Sequence, residues 1–153
     1  MSEHVATVRW RRGGDSFADN RYSRVHEWVF DGGVTVRASA SPQVVREPMS
    51  SAEAVDPEEA FVAALSSCHM LWFLSLAAKE GFVVDSYEDN AVGFLKRVER
   101  GVLMVTDVVL RPAIRFSGER QPSREDIERL HHQSHASCFI ANSVKTNVRV
   151  ESP

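Results

Sequence analysis

Two cysteines, Cys68 and Cys138, are the only thiols in this chain of 153 residues, and each lies in an apolar segment that favours a helix. They are 70 positions apart, so they cannot form the C-x-x-C pair of a local redox or zinc motif. If the fold brings them together, they can cycle between two thiols and a disulfide. A two-cysteine redox cycle is therefore the most specific chemistry that these residue types predict.

Cys68 lies about eleven residues into a long predicted helix, which places the helix N-terminus ~15 Å away. The helix dipole acts within the first turn and lends little support to a thiolate at that distance. Because an unassisted cysteine is only a few per cent thiolate at neutral pH, a reactive Cys68 needs a nearby cation. The candidates are Arg21, Arg24 and Arg37. The alternative is a small buried core thiol, the commonest fate of a free cysteine.

A second group of side chains, His131, His135 and Cys138, has the i, i+4, i+7 spacing of one helix face. Imidazole and thiolate are zinc ligands, so this face is a candidate metal site, although a fourth ligand is not evident. We favour the interpretation that one histidine packs or hydrogen-bonds near Cys138 and helps to activate it. His69 follows Cys68 but points ~100° away around the helix, and we interpret it as structural.

Composition argues against two classes of partner. The net charge is −3 and the arginines are scattered, so there is no basic footprint for nucleic acid. The longest apolar run, about residues 70–78, is interrupted by Ser75 and is shorter than a membrane span, so we expect no membrane partner. The first residues lack the features of a secretory signal. We therefore expect a cytoplasmic protein, in which a disulfide is usually transient and catalytic or redox-sensing.

The size of the chain predicts one domain over residues 1–153. The first third predicts three short β-strands, at residues 4–11, 25–30 and 34–39. The last two strands are separated by Asp31-Gly32-Gly33, a strong hairpin signal. A long connection with two prolines follows, at residues 41–55.

A long helix is predicted next. Asp56 is a suitable N-cap, Pro57 suits the first helical position, and Gly81 suits the end. The segment stays apolar on nearly every side as far as Ala78, which is typical of a buried central helix. Three short strands and one hairpin cannot cover such a helix, whereas a second copy of it can. We therefore predict an obligate homodimer.

The remainder predicts a hairpin, a helix and a last strand. Two β-prone stretches, 83–98 and 102–116, are joined at 99–101, with Pro112 marking an edge or a bend. Ser123 and Asp126 resemble a capping box that opens a helix to about Ser137. A short helical turn at 138–143 and a strand at 146–151 complete the order β-β-β-α-β-β-α-β. This order is typical of an α+β fold.

The residues also resemble a known family. The segment DPEE at 56–59, then ALSSCH at 64–69, and a second cysteine in CFIANS at 138–143 before a final strand together resemble the OsmC/Ohr proteins, the osmotically inducible and organic-hydroperoxide-resistance proteins. The resemblance covers nearly the whole chain. It implies an α+β fold in an intertwined homodimer with active sites at the subunit interface. It also implies thiol-dependent reduction of organic hydroperoxides, with no metal and no organic cofactor.

The resemblance implies roles for particular residues. By position, Cys68 matches the peroxidatic cysteine, Cys138 the resolving cysteine, and Glu58 the glutamate of the family's Pro-Glu motif. The family also uses an N-terminal arginine to hold the thiolate; Arg24 is the first choice for this role and Arg21 the second. Glu58 would orient the arginine through a bidentate pair, and an external dithiol would reduce the disulfide.

Helix geometry constrains the role of Glu58. Ten residues separate it from Cys68, which is ~15 Å along one straight helix. If the two share a site, Glu58 should therefore come from the helix of the partner subunit. At Phe139 the chain departs from the common family pattern, in which a proline often follows the second cysteine. This departure bears on the geometry of disulfide formation.

Apolar residues near Cys68 would line a pocket for alkyl or lipid hydroperoxides rather than hydrogen peroxide. They are Phe61, Leu65, Met70, Leu71, Trp72 and Phe73. The alternative is that most of them fill the core. Two other functions remain open: a binding module that keeps the fold without cycling its cysteines, and a metal-binding protein that uses His131, His135 and Cys138.

Overall fold

The structure is a computed structural model, and it describes residues 1–151. Runs of antiparallel strands are separated by helices, as in an α+β protein, which confirms the predicted fold class. The chain forms two compact units, Met1–Ala60 and Phe61–Pro153. The single domain over residues 1–153 stays a prediction.

The first unit contains a three-stranded antiparallel sheet. Its strands are β1 (Ala6–Arg9), β2 (His26–Phe30) and β3 (Thr35–Ala38), in the order β1-β2-β3. The predicted hairpin between β2 and β3 is confirmed. Gly33 has φ +84°, a conformation that glycine adopts without a steric penalty, and its N–H donates to the Phe30 carbonyl at 3.0 Å.

Helix α1 spans Pro57–Lys79, and its own sequence fixes both ends. The Glu59 N–H donates to Asp56 Oδ1 at 2.8 Å, and the Asp56 N–H donates to Glu59 Oε2 at 3.1 Å, which is a complete capping box. At the other end Gly81 has φ +80°, and the Phe82 N–H donates to the Ala77 carbonyl at 3.0 Å. This is a Schellman motif, as Gly81 predicts.

One stripe of α1 is buried within the chain. It consists of Leu65, His69, Phe73 and Ala77, which recur at every fourth residue on one helix face. Leu71 points elsewhere and is 60% exposed. One chain therefore covers only one face of α1, and burial of its other faces by a second copy stays a prediction.

The length and composition of α1 overturn the expectation that no apolar segment is long enough to span a membrane. The helix is long and apolar enough to cross a membrane, because the serines within it do not offset its apolar residues. The core helix of a soluble protein passes the same test, so one such helix is weak evidence for a membrane protein.

The predicted long hairpin of the second unit is confirmed in its pairing, but each arm breaks into two strands. The strands are β4 (Val83–Asp89), β5 (Val92–Arg97), β6 (Leu103–Leu110) and β7 (Pro112–Ser117). β5 pairs with β6 across a 3-10 turn at Glu99–Gly101, and β4 pairs with β7. The break falls at Pro112, as predicted. There the Arg111 N–H, which lies between β6 and β7, donates to the Asp89 carboxylate at 2.6 Å. This backbone donor is therefore satisfied although it belongs to neither strand.

Two helices and a last strand complete the second unit. Ser123 and Asp126 form the predicted capping box, which opens α2 (Arg124–Ser137). α3 (Phe139–Asn142) is a single turn, and β8 (Asn147–Val150) pairs with β6 in parallel.

The buried stripe of α1 joins two apolar clusters of this unit. Leu65 packs with Val108 and Leu110 of β6, whereas Phe73 packs with Phe82 and Leu130. Each large side chain that is fully buried contributes about 2 kcal/mol through the hydrophobic effect. Because Cys68 lies between Leu65 and Phe73 in the sequence, the core fixes the helix on both sides of this thiol.

Candidate dithiol site

The structure brings the two cysteines close together within the second unit, near enough for Cys68 to raise the pKa of the Cys138 thiol. Cys68 on α1 is partly exposed, whereas Cys138 is buried, with 1% of its surface exposed. Both are free thiols. A solvent-accessible thiol beside a buried one can be oxidised first and then be captured by its neighbour as a disulfide.

Cys138 lies at the junction between α2 and α3 and belongs to neither helix. Its backbone is extended, with φ −68° and ψ 112°, and its N–H donates to the His135 carbonyl at 3.2 Å. Its Sγ accepts the Ala141 N–H at 3.4 Å. These contacts turn the Cys138 side chain inward, towards Cys68.

The surroundings of Cys138 favour its protonated form. Burial raises the pKa of the Cys138 thiol, and the contact with Cys68 raises it further. The Ala141 N–H opposes this shift but does not reverse it. The Cys138 thiol is therefore a weaker acid than an ordinary cysteine and favours its protonated form. The pair is chemically asymmetric.

The histidine face predicted around Cys138 is not formed. α2 ends at Ser137, so Cys138 leaves the helix that carries His131 and His135. His131 points into the core instead. Among residues 1–151, no three His, Cys, Asp or Glu side chains converge as metal ligands.

His131 pairs with His69, which the sequence interpretation treated as structural. His69 Nε2 and His131 Nδ1 are 3.0 Å apart, and the two rings stack with centroids 5.3 Å apart. Both side chains are buried. Burial lowers the pKa of His69 to about 4, with His131 and His135 adding to the shift. Burial also lowers the pKa of His131 to about 4, against the opposing charge of Asp89.

Arg24 belongs to the first unit, where its guanidinium is held by the loop before β2. Its Nη1 donates to the Asn20 carbonyl at 2.9 Å and also to the Tyr22 carbonyl. Its Nη2 donates to Asn20 Oδ1 at 2.7 Å, and its Cζ lies 3.9 Å from the centroid of the Tyr22 ring. The Arg24 backbone is fixed as well. Its N–H donates to the Met49 carbonyl at 2.7 Å, and its carbonyl lies 2.7 Å from His26 Nδ1.

The other two arginine candidates are less well organised. Arg21 is exposed, and its backbone N–H donates to Asp19 Oδ1 at 3.1 Å. Arg37 lies on β3, 3.3 Å from the Ser51 hydroxyl and 4.0 Å from the Glu53 carboxylate. Arg24 is therefore the candidate whose guanidinium the first unit holds most firmly.

Glu58 lies in the first turn of α1 and belongs to the first unit. Its Oε2 is buried and has no hydrogen-bond partner among residues 1–151. No ion pair joins Glu58 to Arg24 within the part of the chain that the structure describes. The structure thus brings Cys68 and Cys138 together, but it does not pair Glu58 with Arg24 in one chain.

Four of the six residues predicted to line an apolar pocket divide into a buried pair and a more exposed pair. Leu65 and Phe73 are fully buried in the two clusters of the core, so they fill the protein interior. Leu71 is exposed, and Trp72 is half-buried one helical turn after Cys68. The sequence analysis missed the ring contact between Trp72 and Phe139, whose centroids are 5.6 Å apart. Its one sequence signal was the spacing of Trp72 from Cys68, which puts both on one face of the helix.

Comparison with protein families gives one match. The family model described as OsmC-like protein matches residues 50–152, which include both cysteines and Glu58. A search of curated proteins finds no match.

Solved structures of similar fold extend over the whole chain. An OsmC-like protein of unknown function from Vibrio cholerae is 56% identical, with a TM-score of 0.97 and 100% of both chains covered. An organic hydroperoxide resistance protein OsmC from Legionella pneumophila is 17% identical, with a TM-score of 0.69 over 99% of this chain and 96% of that one. The organic hydroperoxide resistance protein OhrB of Bacillus subtilis is 16% identical, with a TM-score of 0.66 over 99% and 98%. The last two matches show a shared fold.

The buried histidine pair predicts that the protein loses stability in mild acid. The pKa of each imidazole falls from 6.5 to about 4 on folding, so the folded state binds fewer protons than the unfolded state. Stability is therefore fully present above pH 6.5 and is lost as the pH falls from there towards about 4. The loss should be on the order of 3 kcal/mol for each histidine that titrates independently.

Urea unfolding measured between pH 7 and pH 4 tests this prediction. The double variant His69→Leu/His131→Leu should show a much flatter dependence of unfolding free energy on pH than the wild type. His132 is exposed on the same helix, so His132→Gln should keep the wild-type dependence. An equally steep dependence in the double variant would assign the acid sensitivity to other groups.

Proposed function

The chain belongs to the OsmC-like protein family, and from this premise we propose that it is a thiol-dependent peroxidase that reduces organic hydroperoxides. One observation carries the proposal: the partly exposed Cys68 thiol lies beside the buried Cys138 thiol, whose surroundings favour its protonated form. The fold shared with organic hydroperoxide resistance proteins of other bacteria supports it.

In the first step the Cys68 thiolate attacks the distal oxygen of the hydroperoxide. The O–O bond breaks, the alkoxide takes up a proton and leaves as an alcohol, and Cys68 becomes a sulfenic acid. Cys68 is assigned this role because it is the partly exposed member of the pair. The buried Cys138 retains its proton and does not compete for the peroxide.

In the second step Cys138 attacks the Cys68 sulfenic acid. The S–S bond forms, the S–OH bond breaks, and the hydroxyl leaves as water with the Cys138 proton. An external dithiol then reduces the disulfide by exchange and is itself oxidised. The proximity of the two thiols before oxidation supports this step, because less rearrangement is needed to join them.

Arg24 is proposed to stabilise the Cys68 thiolate by charge and by hydrogen bonds. Its guanidinium is held in place by the Asn20 and Tyr22 contacts, which lowers the entropic cost of binding an anion. Among residues 1–151, the Arg24 Nε–H has no acceptor, so this edge of the guanidinium can serve an anion.

A homodimer is proposed to complete the site. The exposed face of α1 carries small residues and one leucine: Ala64, Ser67, Leu71, Ser75 and Ala78. An apolar groove of about 430 Å³ continues this face, lined by Leu74, Ala78 and residues 81–84. Small side chains allow two helices to approach closely, so a second copy of α1 fits this face. It would supply the cover that a single chain lacks.

Glu58 is proposed to act on the site of the partner subunit. Its Oε2 is buried without a donor among residues 1–151, and leaving a carboxylate oxygen unpaired in this way is costly. A donor from the second subunit, such as an arginine guanidinium, would satisfy it. The apolar Leu71 and Trp72 favour organic hydroperoxides over hydrogen peroxide. In this proposal the enzyme acts in the cytoplasm without a nucleic-acid or membrane partner.

Variants of the two cysteines test the peroxidase proposal. Without added reductant, the wild type should consume about one equivalent of cumene hydroperoxide and end as a disulfide. Cys138→Ser should also consume about one equivalent quickly and then stall as a sulfenic acid, which dimedone traps. Cys68→Ser should consume none.

Ser137→Ala serves as a control, because it changes the residue before Cys138 and leaves both sulfurs in place. Hydroperoxide turnover by Cys68→Ser at the wild-type rate would refute the mechanism. If the wild type itself shows no turnover with dithiothreitol, the fold serves a binding function instead.

Mixed dimers test whether Glu58 acts across the interface. Glu58→Gln alone should lose activity about tenfold or more, because a charged hydrogen bond is lost, and Cys68→Ser alone should be inactive. Co-expressed as differently tagged subunits, the two should form a mixed dimer with one complete site and about half of the wild-type activity. Failure of the mixed dimer to recover activity would mean that Glu58 acts within its own subunit, and isolation of monomers alone would refute the dimer.

A further inference from the structure

The turn that carries Cys138 has little regular structure of its own. Cys138 has an extended backbone between two helices, and α3 after it is a single turn of four residues. A hydrogen bond from Asn142 Nδ2 to the Ala136 carbonyl spans this turn at 3.0 Å, but it is exposed. Side-chain contacts can add to the backbone hydrogen bonds that keep Cys138 beside Cys68.

A pair of aromatic rings provides such a contact. Trp72 lies four residues after Cys68, on the same face of α1, and Phe139 directly follows Cys138. The two rings meet edge to face, with centroids 5.6 Å apart and an interplanar angle of 78°. This is a favoured geometry for aromatic pairs. The Trp72 ring is thus attached to the helix that carries Cys68, and the Phe139 ring is attached to the residue that follows Cys138.

Phe139 is 69% exposed, so burial in the core does not explain its position. Its ring contacts Trp72 on α1, although most of the Phe139 surface stays exposed. That contact restrains the first residue of α3 relative to α1. Because Cys138 immediately precedes this residue, the same contact restrains the distance between the two sulfurs.

We propose that Trp72 and Phe139 form an aromatic clasp that holds Cys138 against Cys68 and sets how readily the disulfide closes. The clasp consists of these two positioning residues, and neither takes part in the chemistry. The inference deepens the proposed function by assigning residues to its second step, yet closure of the disulfide can be measured without any peroxide.

Glutathione exchange isolates closure from peroxide chemistry. In a redox buffer the reduced protein and glutathione disulfide give the protein disulfide and two molecules of reduced glutathione. The equilibrium constant of this reaction reports how favourably the two protein thiols are held together. The rate at which iodoacetamide alkylates Cys68, measured in a Cys138→Ser background, reports the reactivity of the first thiol alone.

Phe139→Ala and Trp72→Ala should each lower the equilibrium constant for disulfide closure by about three- to tenfold, the range that an aromatic pair provides. Alkylation of Cys68 should change less than about twofold in Phe139→Ala. Ile140→Ala is the matched control, since it removes a neighbouring apolar side chain of α3 and leaves both rings in place. It should keep the wild-type equilibrium constant.

Phe139→Pro should restore closure by a different restraint. Phe139 occupies the first position of α3, where a proline is tolerated because its N–H would have no helical partner. The preceding Cys138 already has ψ 112°, which a following proline requires. We expect closure within about twofold of the wild type, and Trp72→Ala should have little effect in this background because the ring contact is already gone.

The outcomes separate this inference from the proposed function. Unchanged glutathione equilibria in Phe139→Ala and Trp72→Ala would overturn the clasp, whether or not the wild type reduces hydroperoxides. An equal loss in Ile140→Ala would overturn it too, because any disturbance of α3 would then suffice. If closure behaves as expected but the wild type shows no hydroperoxide turnover, the clasp stands and the peroxidase proposal fails.

Discussion

The contact between Cys68 and Cys138 depends on how firmly α1 is held in the second unit. Leu65 and Phe73, on either side of Cys68 in the sequence, are fully buried in separate apolar clusters. The helix can neither rotate nor slide without exposing one of them. This constraint fixes the position of the first thiol, and the short turn between α2 and α3 brings Cys138 to it.

The same helix links the fold to the proposed assembly. α1 is apolar on nearly every face, yet the chain buries only one stripe of it. A helix of this composition is costly to expose, so its remaining faces favour a second copy of the chain. The unpaired buried oxygen of Glu58 supports the same proposal from electrostatics, because residues 1–151 do not supply a hydrogen-bond donor for it.

The sequence predicted those elements that carry their own local signals. The capping residues of α1 and the bend at Pro112 are where the sequence placed them, because local backbone chemistry determines both. The face of His131, His135 and Cys138 was predicted wrongly, because the i, i+4, i+7 spacing was extended to Cys138 although the helix ends at Ser137. The pairing of His131 with a histidine of α1 depends on tertiary packing, which spacing along one helix cannot reveal. Which arginine serves the thiolate stays a prediction for the same reason.

The most direct test is mass spectrometry of the protein after about one equivalent of cumene hydroperoxide, performed on a mixture of ¹⁵N-labelled and unlabelled subunits. The account predicts a peptide pair joined through Cys68 and Cys138 in which both halves carry the same label, because the two thiols meet within one chain. A joined pair that combines labelled and unlabelled halves, or the absence of any joined pair, would contradict it.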